Sequence, residues 1–443
     1  MKPETEIAFW CSAARMAGSL RARRQAVRPW PLHEAPEGIS VVIPSRNGKD
    51  LLAAQMDGIV RDLERFTAEI IVVDNGSDDG TVEWLRSAWP QVVVEVSAAP
   101  LSFARAVNRG IAKARYSRVC LLNNEMILEP GFFAALVRAF DRVPNLFCST
   151  AQILFPPGVR REETGKAVYF QPGPADFPIR CDEPIPGEDH TWVLYGSGGC
   201  SLYAADKLRA LGGIDQAYDP VYVEDLDIGY RAWLRGWSSV YVADAVLEHR
   251  HRTTSTRYYT EAQLEEILEI NYLRFVARAV AGTTVFRRLW EQAIERLQIR
   301  AAGSEAARKA LRAAPGIALR GGLREEAEFP DELILALGSG SVAVFPGGAA
   351  PGEPRTIVAG TGAACRGVVR VVWVERLETP ASETLEECAE VVVVRRSGGA
   401  LAFRAALQQT VRKWGPGVVY LDGCEMSEFA GDCSGAKVVK RTG

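Results

Sequence analysis

The sequence lacks several features that would assign a function class at once. It has no apolar run of about 20 residues, the length needed to span a bilayer. Charged residues interrupt every apolar stretch near the amino terminus, so a signal peptide is not expected. The formal net charge of −3 leaves none of the basic surplus that nucleic-acid-binding domains carry. These absences predict a soluble, cytoplasmic protein with no nucleic acid among its partners.

Cysteine and histidine are sparse and scattered. The nine cysteines form no C-x-x-C pair and the four histidines are dispersed, so neither a disulfide framework nor a structural zinc site is expected. The hydrophobic content of 47% and the charged content of 24% are those of a globular chain. A chain of 443 residues exceeds one ordinary core, which favours two domains joined by helices.

The pattern along the chain divides it into four segments. Residues 1–37 are predicted to form an amino-terminal helix with a basic end. This helix either packs on the main domain or contacts an anionic membrane surface. Residues 38–275 alternate short apolar strands with helices, and 276–328 form a helical connector. Residues 329–443 read as a smaller α/β domain. The stretch 156–190 is rich in proline, glycine and charged residues. This composition predicts an extended segment, which we expect to lie beside the functional site.

Polar side chains follow three predicted strands of the first half. The apolar, β-branched runs at 39–44 and 69–74 and the run from 118 predict buried parallel strands of an open, mostly parallel, Rossmann-like α/β sheet. The polar segments at their ends are Ser45-Arg46-Asn47, Asp74-Asn75 and Asn123-Asn124-Glu125. Ligands of such sheets bind outside the carboxyl ends of the strands, so the three ends predict a nucleotide site.

A later acidic cluster lies at Glu224-Asp225-Leu226-Asp227 among apolar residues. Partly buried, unpaired acids are costly, which favours a functional role over a solvated helix start. In a helix Glu224 and Asp225 would point about 100° apart, so that one faces a site while the other caps the helix. His249 follows an apolar run, with His251 nearby, and is a candidate metal ligand.

Taken in order, these segments resemble the family 2 glycosyltransferases of the GT-A fold, especially bacterial rhamnosyltransferase-like members. The matching segments are VIPSRN at 42–47, VVDNGSDDGT at 72–81, AVNRG at 106–110, LLNNE at 121–125, GGID at 212–215, EDLD at 224–227 and His249. The ordered set is far more specific than any one of its motifs.

The resemblance implies an inverting transfer of a sugar from a UDP- or dTDP-linked donor to a glycan or lipid-linked glycan acceptor, in surface polysaccharide synthesis. By position it assigns Asp225 as the catalytic base beside Glu224, and Glu125 and His249 as ligands of Mn²⁺ or Mg²⁺. The donor-binding residues that it implies are Pro44, Ser45, Asn47, Asp74, Ser77, Asn108, Asn123 and Asn124. Glu125 replaces the family's usual aspartate, and its extra methylene shifts the carboxylate by more than about 1 Å.

The tail from 389 to 421 resembles the N-terminal half of a family 4 glycosyltransferase of the GT-B fold. That likeness implies a domain that packs or recruits and does not catalyse, so a chain ending near Arg320 is expected to stay soluble and to transfer sugar. Two alternatives are a catalytically weak sugar-nucleotide-binding or scaffold protein, and a sugar nucleotidyltransferase, for which the segment 44–49 is a poor phosphate loop. A homo-oligomer and peripheral contact with the inner face of a membrane are also left open.

Overall fold

The computed structural model describes residues 3–32, 34–143, 145–156, 165, 175–177, 179, 185, 188–249, 255–327, 329–348, 356–360 and 368–441. Most of the 156–190 stretch and the alternative metal ligand His251 lie outside this described part. The helices are α1 (Pro3–Leu20), α2 (Lys49–Leu63), α3 (Thr81–Ala88), α4 (Phe103–Lys113), α5 (Phe132–Arg142), α6 (Ala205–Ala210), α7 (Glu224–Leu234), α8 (Ser255–Tyr258), α9 (Glu261–Arg278), α10 (Thr283–Arg300), α11 (Glu305–Leu319), α12 (Asp331–Leu337), α13 (Ser382–Glu387) and α14 (Gly399–Trp414). The strands are β1 (Gln25–Ala26), β2 (Ile39–Ser45), β3 (Ala68–Asp74), β4 (Val93–Val96), β5 (Arg118–Leu122), β6 (Met126–Leu128), β7 (Leu146–Leu154), β8 (Thr191–Val193), β9 (Cys200–Ala204), β10 (Ser238–His249), β11 (Leu323–Arg324), β12 (Ser339–Pro346), β13 (Thr356–Gly360), β14 (Val369–Val374), β15 (Glu390–Arg395), β16 (Val418–Asp422) and β17 (Lys437–Arg441).

Fifteen of the described strands join one sheet, and β1 pairs with β11 apart from it. The order across the sheet is β17-β16-β13-β14-β15-β12-β8-β10-β7-β9-β5-β2-β3-β4, with β6 added beside β10. Parallel pairing links the strands within β2–β5 and within β13–β17, whereas β6, β8, β9 and β12 pair antiparallel. The predicted fold class, a mostly parallel α/β sheet, is confirmed.

The central strands of the first half are buried on both faces. Val41 and Ile43 of β2 belong to the same apolar cluster as Leu52 of α2. The intervening Val42 belongs instead to a second cluster, with Val107 of α4. Because successive side chains of a strand point to opposite faces, this alternation requires a helix on each side of the sheet. Burial on both faces explains why the sequence of β2 is apolar without interruption from Val41 to Ile43.

The amino-terminal helix packs on the helical connector. The indole Nε1 of Trp290 on α10 donates to the carbonyl of Ala14 at 3.0 Å. Gly18 allows this contact, since a Cβ there would lie 2.5 Å from the Trp290 ring. Packing on the body of the protein is therefore the arrangement of α1 in the structure. Among the helices of the described part, none is both long enough and apolar enough to cross a membrane.

The carboxyl-terminal strands continue the sheet of the first half. β12 pairs with β15 on one side and with β8 on the other, so no break in the described sheet marks the predicted boundary at 329. Polar contacts cross the same region: Arg231 of α7 donates to Glu325 at 3.0 Å, and Tyr230 of α7 donates to Asp331. The apolar segment 333–337 forms most of the helix α12.

Candidate functional site

The carboxyl ends of β2, β3 and β5 meet at one edge of the sheet, since these strands are parallel neighbours. A pocket of about 340 Å³ opens at this edge. Eight of the predicted site residues line it: Pro44, Ser45, Asn123, Asn124, Glu125, Glu224, Asp225 and His249. The structure therefore gathers in one cavity side chains that are up to about 200 positions apart in the sequence.

The floor of the pocket is formed where the end of β5, the end of β2 and the backbone at Gly48 pack closely together. The Nδ2 of Asn124 donates to Oγ of Ser45 at 2.9 Å, which joins the end of β5 to the end of β2. A Cβ at Gly48 would lie 2.2 Å from that Nδ2, so a side chain at position 48 would displace the amide. Asn123 is held in turn by its own N–H, which donates to the carbonyl of Gly199 at 2.9 Å.

Three predicted donor-binding residues are not among the residues that line the pocket: Asn47, Asp74 and Ser77. The backbone N–H of Asn47 donates to Oγ of Ser77 at 2.9 Å, and Oδ1 of Asn47 accepts from the N–H of Asp78 at 2.9 Å. Asp74 is 1% exposed, and its Oδ2 accepts from the N–H of Ser77 at 3.2 Å. Its Oδ1 is buried without a hydrogen-bond partner among the described residues. The contacts interlock two loops beside the pocket, and a donor-binding role for these side chains stays a prediction.

Asn108 is also outside the pocket lining. Its Nδ2 donates to the carbonyl of Ile214 at 2.8 Å, and its Oδ1 accepts from the N–H of the same residue at 2.9 Å. Both ends of the amide are thus occupied by one backbone position of the G-G-I-D segment. The geometry gives Asn108 a structural role next to the site, and its predicted contact with the donor stays a prediction.

Glu224 and Asp225 occupy the first turn of α7, and both line the pocket. Oδ1 of Asp225 accepts from the N–H of Leu226 at 2.8 Å, and Oδ2 faces the N–H of Gly198 at 3.4 Å. Glu224 is only 6% exposed, and its Oε2 is buried without a hydrogen-bond partner among the described residues. Burial, followed by the negative charge of Asp225, raises the pKa of Glu224 to about 8. Two adjacent carboxyl groups in one pocket therefore differ in environment.

Glu125 and His249 come together through strand pairing. β6 runs antiparallel to β10, and their register sets Met126 opposite His249. Nε2 of His249 consequently lies 3.3 Å from Oε1 of Glu125, and both side chains are buried at the edge of the pocket. A carboxylate oxygen and an imidazole nitrogen are both ligands that Mn²⁺ accepts, so this pair fits a divalent ion. No group of three His, Cys, Asp or Glu ligands occurs within the described residues, so any further ligands there would come from outside these side chains.

Several lining residues were not assigned a catalytic, donor-binding or metal-binding role from the sequence. They are Arg46, Asn75, Leu101, Phe103, Ala106, Ser197, Gly198, Gly199, Pro220, Val221, Tyr222, Tyr258 and Tyr259. The segment G-S-G-G at 196–199 and the pair of tyrosines at 258–259 are unusual enough in the sequence to have drawn notice. The guanidinium of Arg46 lies 4.0 Å from the ring centroid of Tyr258, which brings α8 over the end of β2.

A family model described as "Glycosyltransferase like family 2" matches residues 36–265. The chain belongs to this family. Among curated proteins, the N-acetylglucosaminyl-diphospho-decaprenol L-rhamnosyltransferase of Mycobacterium tuberculosis is 30% identical over 227 residues, which are 43% of this chain and 73% of that protein. An uncharacterized protein, y4gI, of Sinorhizobium fredii is 25% identical over 240 residues, 51% of this chain and 26% of that protein. The chain thus spans about a quarter of the length of y4gI.

Solved structures of glycosyltransferases also resemble this family member. GalNAc-T7 with UDP, GalNAc and Mn²⁺ aligns with a TM-score of 0.46 at 17% identity, covering 61% of this chain and 54% of that one. The Pyrobaculum calidifontis mannosyltransferase PcManGT, with GDP-Man and Mn²⁺, aligns with a TM-score of 0.40 at 14% identity, covering 71% and 96%. Likenesses this distant do not bear on the chemistry. The predicted membership of family 2 is confirmed by the family model, whereas the family 4 likeness of the tail stays a prediction.

Proposed function

We propose that this family 2 chain is an inverting glycosyltransferase that moves a sugar from a nucleotide-sugar donor to a hydroxyl group. One observation carries the proposal: the carboxylate of Asp225, the amides of Asn123 and Asn124 and the Glu125–His249 pair line a single pocket at the carboxyl edge of the sheet. Such a transfer needs a base for the acceptor hydroxyl, polar groups that hold the nucleotide, and ligands for a divalent metal. The lining of this pocket offers all three.

Asp225 is the general base in this proposal. Its carboxylate takes the proton of the acceptor hydroxyl while the hydroxyl oxygen forms a bond to the anomeric carbon of the sugar. The bond from that carbon to the diphosphate oxygen breaks in the same displacement, and the nucleoside diphosphate leaves with the electron pair. Attack from the face opposite the leaving group inverts the anomeric centre. The hydrogen bond from the N–H of Leu226 at 2.8 Å supports a fixed orientation of the base.

Glu125 and His249 are the residues that would hold a divalent metal, Mn²⁺ or Mg²⁺. The metal would supply positive charge next to the departing diphosphate. The 3.3 Å approach of the two side chains supports a site for one ion at this corner of the pocket. The longer side chain of Glu125 is compatible with the pair, because it already reaches the imidazole.

The donor is proposed to be a UDP- or dTDP-linked sugar, and the acceptor a glycan or lipid-linked glycan of surface polysaccharide synthesis. The name of the Mycobacterium tuberculosis relative describes transfer of rhamnose to a lipid-diphosphate-linked sugar, which supports an acceptor of that class here. The aromatic side chains of Phe103, Tyr222 and Tyr258 in the pocket lining offer surfaces on which a base or a sugar ring can pack.

Peripheral contact with a membrane would bring such an acceptor to the site. Phe9, Met16 and Leu20 are 56%, 66% and 66% exposed, and their spacing sets them along one stripe of α1. Exposed Arg23 follows the stripe, as expected of a helix that lies on an anionic surface. In sedimentation with vesicles rich in anionic lipid, the double variant Met16→Glu/Leu20→Glu should lose binding. The control Ile299→Glu, at another exposed apolar position, should retain it; equal behaviour of the two variants would exclude α1 as the contact.

Calorimetric titration with a panel of nucleoside diphosphates and nucleotide sugars, with and without Mn²⁺, tests the proposed function. We expect one nucleotide to bind and its affinity to rise with the metal. Absence of binding across the panel would refute the enzyme proposal and favour a scaffold protein. Binding without transfer to any tested acceptor would favour the catalytically weak alternative.

A further inference from the structure

The segment that leads into α7 has an unusual backbone. Tyr222 and Val223 both have left-handed conformations, with φ of 75° and 76°. A β-branched residue such as Val223 rarely adopts this conformation, because its side chain crowds the backbone. Two such residues in succession persist only where surrounding contacts fix them, and strained backbone of this kind concentrates at functional sites.

One side chain from a distant helix supplies contacts that fix this backbone. Asn271 of α9 is fully buried. Its Nδ2 donates to the carbonyls of Tyr218, Val221 and Tyr222, at 2.8, 2.9 and 3.0 Å. Its Oδ1 accepts from Nη1 of Arg274 at 2.7 Å, so the partners determine which end of the amide faces the loop.

The clamped segment carries much of one pocket wall. Pro220, Val221 and Tyr222 line the pocket, and the next residues are Glu224 and Asp225 in the first turn of α7. Asn271 itself does not line the pocket. Any effect of this residue on a reaction in the pocket must therefore act through the position of the loop and of the helix start.

We infer that Asn271 is a positioning residue: its amide holds the 218–222 backbone so that Tyr222 forms the wall and Asp225 is aimed into the pocket. The inference rests on the proposed function for its kinetic readout, but its structural readout is independent of any activity. Displacement of a reacting group by about 1 Å can lower a rate about 100-fold, so a loosened loop should be visible in kcat.

The test compares Asn271→Leu, which keeps the size and removes the donors, with a matched control on the same helix. Glu269 is 1% exposed and pairs with Arg296, so Glu269→Gln weakens another buried polar contact of α9. We expect both variants to lower the melting temperature. Only Asn271→Leu should lower kcat, by about 10- to 100-fold, with donor KM changed less than about threefold. Only Asn271→Leu should speed hydrogen exchange across 218–226.

Asn271→Asp adds a readout that a merely structural role would not move. A carboxylate facing three carbonyl oxygens repels them, whereas the protonated acid can donate one hydrogen bond. Transfer by this variant, relative to wild type at each pH, should therefore recover as the pH falls. If Asn271→Leu does not fold, Asn271→Ser, which keeps one donor, replaces it in the comparison.

Hydrogen exchange and kinetics give separable outcomes. If the wild-type protein transfers no sugar, the proposed function fails. Faster exchange at 218–226 in Asn271→Leu alone would still support the role of Asn271 in holding the 218–222 backbone. Exchange that changes equally in Asn271→Leu and Glu269→Gln overturns the inference. Faster exchange with an unchanged kcat, in a wild type that transfers sugar, also overturns the positioning role.

Discussion

In the first half of the sheet β2 is central, with β3 and β4 following on one side and β5 on the other. In the second half β13 has the corresponding position, with β14 and β15 on one side and β16 on the other. All of these pairings are parallel. The chain thus contains the same doubly wound arrangement twice, and in each copy the strand order reverses next to the first strand.

The strand ends at the two reversal points differ. In the first half, the ends of β2 and β5 are joined by the Ser45–Asn124 hydrogen bond and form the floor of the pocket. In the second half, Gly360 and Asp422 end β13 and β16, and a Cβ at Gly360 would lie 2.2 Å from the carbonyl of Asp422. The strand topology alone therefore shows where a pocket can form, but it does not decide which residues line that pocket. The pocket of the first half is completed by segments outside the strands β2 to β5: the 196–199 turn, the start of α7 and the end of β10.

Removal of the second half should have the largest effect. A chain ending at Arg320 loses Glu325 and Asp331, the buried partners of Arg231 and Tyr230 on α7. Breaking one buried ion pair costs about 3–5 kcal/mol, and total stability is about 5–15 kcal/mol. We therefore expect this chain to misfold, contrary to the expectation from the sequence that it would stay soluble and active. Circular dichroism and thermal melting would measure the loss.

A shorter truncation is the control for that experiment. A chain ending at Gly435 lacks only the edge strand β17, which pairs with β16 alone in the described sheet. It should keep a cooperative melting transition. If the chain ending at Arg320 melted as cooperatively as the full chain, the two halves would be independent in folding despite their shared sheet.

The next largest effect should separate an aspartate of each half. Asp225→Asn removes the proposed base and should lower kcat by about 10²- to 10⁴-fold, while nucleotide binding, measured by calorimetry, stays within about threefold. Asp422→Asn, at a strand end of the second half, should leave both quantities unchanged. Unimpaired turnover in Asp225→Asn would remove it as the base, and a loss in Asp422→Asn would give the second half a catalytic role.

The sequence predicted the features of the first half that are local. Short β-branched runs and the turn after Asp74 are sufficient to identify β2, β3 and the start of α3, since residues within a few positions decide these structures. The parallel arrangement then brings Ser45 and Asn124 to one edge. The family likeness supplied Glu125 and His249 as partners, although it could not give the β6–β10 pairing that brings them to 3.3 Å.

Long-range contacts account for what was missed. The hydrogen bonds of Asn271 reach a loop about 50 positions away, and nothing in the sequence around Asn271 marks them. The bonds of the Asn108 amide to the backbone of Ile214, 106 positions away, could not be read from its motif either, and its predicted contact with the donor stays a prediction.

A smaller effect is expected from shortening one carboxylate. Glu125→Asp should draw the carboxylate away from His249 and weaken metal-dependent nucleotide binding by about 10-fold or more. Glu390→Gln is a control in the second half, because Glu390 is also buried and contacts Trp414 rather than a histidine. It should leave the metal dependence unchanged. Calorimetry with and without Mn²⁺ measures both variants, and unchanged metal dependence in Glu125→Asp would show that metal binding does not depend on the longer side chain of Glu125.

The last prediction concerns the pH dependence of stability that Glu224 contributes in the first half. Burial raises the pKa of Glu224 from 4.5 to about 8, so the folded protein retains a proton that the unfolded chain releases above about pH 4.5. The stabilisation is complete below that pH and is lost as the pH rises through about 8, with a slope of up to about 1.4 kcal/mol per pH unit from this group. Glu224→Gln, which cannot titrate, should remove this contribution, whereas Glu390→Gln should lower stability without removing it. Urea unfolding at several pH values between 5 and 8 measures the slopes; an identical pH dependence in wild type and Glu224→Gln would show that Glu224 is ionised in the folded pocket.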